Sequence, residues 1–120
     1  MARRLLVVDD EPHIGLLLRP RLEAIGFDVT VARTLADARA ALSGSLPDAL
    51  LLDLHLPDGD GLDAWARARG MQAGARAVLM TAHGSADVAV RARDLGIHAI
   101  LSKPLNLSLL LASVGDGRNA

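Results

Sequence analysis

Short apolar runs alternate with helix-period segments five times along the 120 residues, and this alternation restricts the possible folds more than any other feature. Leu5-Leu6-Val7-Val8, Ala49-Leu50-Leu51-Leu52, Ala77-Val78-Leu79-Met80 and Ala99-Ile100-Leu101 are almost unbroken in apolar residues, as strands covered on both faces are. Phe27-Asp28-Val29-Thr30-Val31 alternates apolar with polar and reads as an edge strand with one wet face. Between them lie helical patterns with start and stop signals. Pro12 suits a first turn and Gly26 a stop. Thr34 can cap a second helix that ends before Gly44, and a third runs from near Gly61 to Gly70. Ser85 can cap a fourth helix stopped by Gly96, and Asn106 a fifth with Leu107, Leu110, Leu111 and Val114 on one face. Trp65, three residues after Leu62, reads as a core residue. The expected fold is therefore α/β: a five-stranded parallel sheet, order 2-1-3-4-5, with five helices on its two faces.

Length and composition narrow the class further. One hundred and twenty residues form one domain, with its core over about residues 4–114. No cysteine is present, which excludes disulfides, thiolate metal sites and a cysteine nucleophile. A net charge of -1 gives no nucleic-acid footprint and no basic membrane anchor. The apolar start at Leu5 is stopped by Asp9-Asp10-Glu11, too soon for a secretion signal, and the expectation is a cytoplasmic protein.

In sheets of this kind ligands bind beyond the carboxyl ends of the strands, where the winding direction reverses. Strand one leaves at Asp9-Asp10-Glu11, strand three at Asp53, strand four at Thr81-Ala82 and strand five at Ser102-Lys103-Pro104. Lys103 is the one lysine among 13 basic residues. Two carboxylates ~4 Å apart repel by ~4 kcal/mol at an effective dielectric of ~20. A hard divalent cation such as Mg²⁺ offsets that repulsion, and a lysine beside it adds a compact positive charge. Acids, a hard cation, a hydroxyl and a lysine suit phosphoryl chemistry in which a carboxylate attacks phosphorus.

Four blocks carry a family resemblance. Val7-Val8-Asp9-Asp10-Glu11-Pro12, Leu52-Asp53-Leu54-His55-Leu56-Pro57-Asp58-Gly59-Asp60-Gly61, Met80-Thr81-Ala82-His83-Gly84 and Leu101-Ser102-Lys103-Pro104 resemble, in order and spacing, the signature blocks of two-component response-regulator receiver domains of the CheY-like superfamily. The resemblance covers essentially the whole chain. It implies that Asp53 accepts a phosphoryl group from a sensor histidine kinase or histidine phosphotransfer protein. It implies that Asp10 holds Mg²⁺ directly, Asp9 through water, and the main-chain carbonyl of His55 adds a further ligand beside Asp53. Thr81 and Lys103 would bond the phosphoryl group, Ala82 would leave it accessible, and Lys103-Pro104 is the candidate for a cis bond. His55 and His83 occupy positions that tune dephosphorylation in the family, which implies a pH-sensitive lifetime. A homodimer through the face of the fourth helix, fifth strand and fifth helix is a further implication, and Leu109, off the apolar stripe, lies there.

One position departs from the family pattern. Ile100 stands where receivers carry Tyr or Phe, the aromatic that relays the movement of Thr81, and Leu105 replaces a frequent Phe. The expectation is intact phosphorylation with a weaker switch through Thr81 and Ile100; the alternative is a receiver-like interaction scaffold. A small phosphatase of the haloacid-dehalogenase type would need a second Asp where His55 stands, and a dinucleotide site would need glycines after the first strand. Asp58-Gly59-Asp60-Gly61 resembles part of a calcium loop, but without the downstream Glu it reads as a turn. His13 and His98 have no partner at ligand spacing and read as surface or packing residues.

Overall fold

The computed structural model describes residues 3–44, 47–68, 75–82 and 84–115. The parallel sheet is built from β1 (Arg3–Val8), β2 (Phe27–Ala32), β3 (Ala49–Asp53), β6 (Arg76–Thr81) and β7 (Ala99–Ser102), in the order β2-β1-β3-β6-β7. Between β3 and β6 a small antiparallel pair, β4 (His55–Leu56) and β5 (Gly59–Asp60), is inserted. The helices are α1 (Pro12–Ala24), α2 (Leu35–Gly44), α3 (Gly61–Ala68), α4 (Ala86–Asp94) and α5 (Leu107–Val114). With the inserted pair set aside, the main sheet has the expected 2-1-3-4-5 order.

Strand alternation divides the core into two halves. Leu6 and Val8, Leu50 and Leu52, and Ala77 and Leu79 point to the side covered by Leu35, Ala38 and Leu42 of α2, Leu62 and Trp65 of α3, and Ala92 of α4. Leu5 and Val7, Leu51, and Val78 and Met80 point the other way, onto Leu18 and Leu22 of α1 and Leu110 and Val114 of α5. The three central strands are therefore apolar on successive residues because both faces are covered. β2 is an edge, and its polar residues Asp28 and Thr30 are exposed, as its alternation predicts.

The caps act as read from the sequence. Thr34 Oγ1 accepts from Asp37 N at 3.0 Å, Ser85 Oγ from Val88 N at 3.2 Å, and Asn106 Oδ1 from Leu109 N at 3.1 Å. Gly26 (φ 103°) and Gly96 (φ 79°) follow helix ends in the left-handed region.

Two expectations are corrected. β7 lies at the other edge of the sheet, as the expected order has it, but it is not covered on both faces: Ile100 is 40% exposed. A three-residue apolar run carries too little pattern to separate an edge from a centre. The stretch Asp58-Gly59-Asp60-Gly61 is more than a turn, because Gly59-Asp60 pairs with His55-Leu56 and Gly61 opens α3. The third helix is described to Ala68, so the proposed stop at Gly70 lies outside the described residues.

Candidate functional site

The strand register brings the acids together. Val8 pairs with Leu52, so Asp9 and Asp53 occupy the next row of the sheet side by side. Asp53, the last residue of β3, pairs with Met80, which puts Thr81 one step further along β6. Thr81 pairs with Ser102, and Lys103 N donates to Thr81 O at 2.9 Å. Crossovers return every parallel strand in the same direction, so all these carboxyl ends open on one edge.

Side chains complete the cluster. Asp9, Asp53 and Thr81 are the buried polar residues among those described, at 1%, 6% and 0% exposure. Lys103 Nζ donates to Asp9 Oδ2 at 3.0 Å and to Asp53 Oδ2 at 3.2 Å, with Glu11 Oε1 at 3.9 Å. The remaining oxygens take backbone donors: Asp9 Oδ1 accepts from Glu11 N at 3.0 Å, and Asp53 Oδ1 from His55 N at 3.3 Å. Asp10 is exposed, yet one carboxylate oxygen each from Asp9, Asp10 and Asp53 lies within 4.8 Å of the others. The Lys103-Pro104 bond is cis.

Electrostatics follow from that burial. Desolvation, then repulsion from Asp9, pushes the Asp53 carboxyl above its ordinary 3.8, although Lys103 pulls the other way. Burial draws the Lys103 ammonium down, but its bonds and charge contacts with Asp9 and Asp53 outweigh this and raise it above 10.5. Lys103 thus stays charged at neutral pH between two carboxylates, one of which ionises reluctantly. Because the native state holds the Asp53 proton more tightly than the unfolded chain, Asp53 ionisation costs stability as pH rises from 3.8 through the higher native value. Asp53→Asn is therefore expected to raise neutral-pH stability and to flatten this part of the pH dependence. Urea unfolding of both proteins at acid and neutral pH checks it; an Asn variant less stable at neutral pH contradicts it.

The donor set fits a hard divalent cation. All three clustered groups offer carboxylate oxygens, the ligands Mg²⁺ and Ca²⁺ prefer, and among the described residues no histidine belongs to the cluster. Excess negative charge beside a single lysine is the arrangement a cation relieves.

Of the sequence candidates, Asp9, Asp10, Asp53, Lys103 and the His55 backbone meet at this edge, and Thr81 is buried beside it on β6. The His55 side chain is exposed, and His83 lies outside the described residues. Ile100 pairs with Leu79, two rows before the Thr81–Ser102 pair. His13 is a surface residue 3.1 Å from Glu11, and His98 Nδ1 accepts from Ala77 N at 3.0 Å, a role in the sheet margin.

Two contributors were not singled out as site residues from the sequence. A Cβ on Gly61 would stand 2.0 Å from the Asp53 carbonyl oxygen, so only glycine lets α3 begin against the end of β3. Asp58 accepts from Leu35 N at 2.8 Å and Ala36 N at 3.1 Å, capping α2 from 23 residues away. These backbone bonds, that to Leu35 foremost, hold its carboxyl below the ordinary range. Signals for both existed in part: a Gly after Asp-Gly-Asp, and an α2 whose own cap is a Thr.

Comparison with known proteins agrees with this geometry. Residues 5–115 match the family described as the response regulator receiver domain. The chain belongs to that family. It is 33% identical over 112 residues to the transcriptional regulatory protein GlrR of Escherichia coli K12, an alignment covering 93% of this chain and 25% of GlrR. The receiver domain thus spans a quarter of that relative's length. A CheY-like receiver structure from Methanospirillum hungatei superposes with a TM-score of 0.89 at 27% identity, covering 95% of this chain and 91% of the other. A Burkholderia pseudomallei response regulator, solved with a phosphorylated aspartic acid, calcium ion and citrate, gives 0.86 at 29% identity, over 94% of this chain and 66% of that one. Among the described residues, no helix of this receiver is long and apolar enough to cross a membrane.

Proposed function

We propose that this receiver domain, formed by the 120 residues with its core over about 4–114, accepts a phosphoryl group on Asp53 from a phosphohistidine of a sensor kinase or phosphotransfer protein in the cytoplasm. The observation that carries the reading is the shared grip of Lys103 Nζ on Asp9 and Asp53, 3.0 and 3.2 Å away, beside the Asp10 carboxylate. The phosphorylated aspartic acid of the Burkholderia relative supports the same assignment.

In this reading Asp53 is the nucleophile. One of its carboxylate oxygens bonds to phosphorus as the donor's N–P bond breaks, and the electron pair returns to the imidazole nitrogen. Lys103, held charged by its two acids, turns its ammonium to the arriving phosphoryl oxygens. The Thr81 hydroxyl bonds the phosphoryl group from the neighbouring strand. Asp10, Asp53 and the His55 carbonyl would hold the cation directly, and Asp9 through water. When bound, Mg²⁺ supplies the positive charge that offsets the acids and the phosphoryl oxygens. Water later attacks phosphorus and releases inorganic phosphate from Asp53.

Incubation with acetyl phosphate and Mg²⁺, followed by intact mass, tests the assignment. One added phosphoryl group is expected on the wild type and none on Asp53→Asn; an unmodified wild type favours the scaffold reading. The exposure of Ile100 keeps attention on that alternative, since an aliphatic edge residue makes a weaker switch element than an aromatic one. A homodimer contact belongs, in this reading, on α4, β7 and α5, which leave Val90, Ile100 and Leu109 exposed.

A further inference from the structure

The segment that follows Asp53 is tied down on three sides. His55 pairs with Asp60 across β4–β5, so the residue two after Asp53 is locked to an acid at the foot of α3. Asp60 Oδ1 accepts from Leu62 N at 2.7 Å, and Gly61 N donates to Leu54 O at 2.8 Å. Asp58 holds the turn to α2. The third tie crosses to α4: Arg91 Nη1 donates to Asp60 Oδ2 at 2.6 Å, and Arg91 Nη2 donates to Asp63 Oδ1 at 2.6 Å.

The helix at the far end of this tie is lightly anchored. Ala92 is the fully buried residue of α4; Val88 is half-buried, and Val90 is 48% exposed. Its neighbouring edge strand β7 exposes Ile100. With so little apolar burial, the position of α4 depends unusually on its polar ties. A guanidinium fork spanning two carboxylates fixes direction as well as distance, which a single ammonium cannot do.

We propose that Arg91 is a positioning residue that couples the Asp53 site to α4 through Asp60. The inference rests on the receiver reading. Asp53 Oδ1 accepts the His55 amide at 3.3 Å, so a phosphoryl group on Asp53 changes the charge that β4 is bonded to. β4 carries β5 with it, Asp60 lies on β5, and Arg91 follows Asp60. Coupling of this kind is reciprocal: whatever phosphorylation does to α4, loosening α4 does to the affinity of the site. The path runs through His55, Asp60 and Arg91 and does not include Ile100, and therefore does not require the missing aromatic.

The test compares amide NMR spectra of wild type, Arg91→Met and Asp60→Asn, each with Mg²⁺ alone and with beryllium fluoride added as a phosphoryl mimic. Wild type is expected to shift around Asp53 and along residues 86–94. Arg91→Met is expected to keep the shifts around Asp53 and Thr81, to lose most of those in α4, and to change the apparent affinity for the mimic by about two- to fivefold. Asp60→Asn keeps an oxygen for Leu62 N, loses the charge, and is expected to reproduce this; Arg91→Lys, reaching one acid rather than two, falls between. A merely structural Arg91 would alter stability without moving the affinity. Undiminished α4 shifts in both variants overturn the coupling. A wild type with no response around Asp53 removes the phosphoacceptor role of Asp53 and the coupling with it.

Discussion

Lys103→Met is expected to leave a folded protein that is about 3 kcal/mol less stable at neutral pH and slower in phosphoryl transfer by about 10²-fold or more. Met keeps the length and apolar stem of the side chain while deleting the charge. Two carboxylates, 1% and 8% exposed, then face one another with no cation between them. Asp53 is already pushed above its ordinary value by burial and by Asp9; without Lys103, which pulls the other way, it is pushed further up and ionises less readily. The wild-type lysine shows the complementary sign. Its raised value means that its contribution is complete below 10.5 and is lost only as pH climbs through the native value. The deficit of Lys103→Met should therefore shrink in acid, as the Asp53 carboxyl takes up its proton, and shrink again at neutral pH on adding millimolar Mg²⁺. Urea unfolding at two pH values with and without Mg²⁺ reads all of this. Equal stability of variant and wild type at neutral pH would show that the lysine does not balance the acids.

Gly61→Ala is the second change with a large expected effect, and its cause is steric. The new Cβ would lie 2.0 Å from the Asp53 carbonyl oxygen and 3.1 Å from both the Asp53 carbonyl carbon and Leu52 Cγ. A flexible side chain could move aside, but here the obstacle is the backbone of the central strand. Either α3 backs away, breaking the 2.8 Å bond from Gly61 N to Leu54 O, or the end of β3 shifts and takes the Asp53 carboxylate with it. Overpacking of this kind costs about 3 kcal/mol, equivalent to a melting temperature roughly 10 °C lower. Displacement of Asp53 by a fraction of an ångström adds a loss of phosphorylation of about tenfold or more. Thermal unfolding together with a phosphorylation time course checks both parts. A variant that melts with wild type and accepts phosphate at its rate would mean the strand end tolerates what the contact distance forbids.

Much of the site was legible because parallel topology turns distant sequence positions into neighbours. Asp9, Asp53 and Lys103 are 94 residues apart at their extremes, yet Asp53 ends a strand and the other two each follow one, and a sheet wound in one direction delivers every strand end to the same edge. The two-sided burial of β1, β3 and β6 was legible for the same reason, as unbroken apolar runs. What escaped was tertiary accident of position. Ala99-Ile100-Leu101 has the composition of a buried strand, but in the folded chain Ile100 on this edge strand stays 40% exposed. Gly61 looked like punctuation, since the closeness of its Cα to the Asp53 carbonyl depends on how α3 docks. Asp58 and Arg91 take partners 23 and 31 residues away whose placement only the folded chain defines. Local patterns report which face a residue turns to; they do not report which charged group stands opposite it.

The Asp53–Lys103 cluster also carries a stability cost of the kind active sites accept, because burial and the neighbouring Asp9 disfavour the ionised Asp53 carboxylate. That cost makes sense if Asp53 is the residue that becomes phosphorylated. The most direct measurement treats the protein with acetyl phosphate and Mg²⁺, reduces it with borohydride, and maps the product by peptide mass. An aspartyl phosphate is reduced to homoserine, which marks the residue that carried it. The expected result is homoserine at position 53, absent when the metal is chelated. Homoserine at Asp9, Asp10 or Glu11 instead, or labelling that ignores Mg²⁺, would contradict the account.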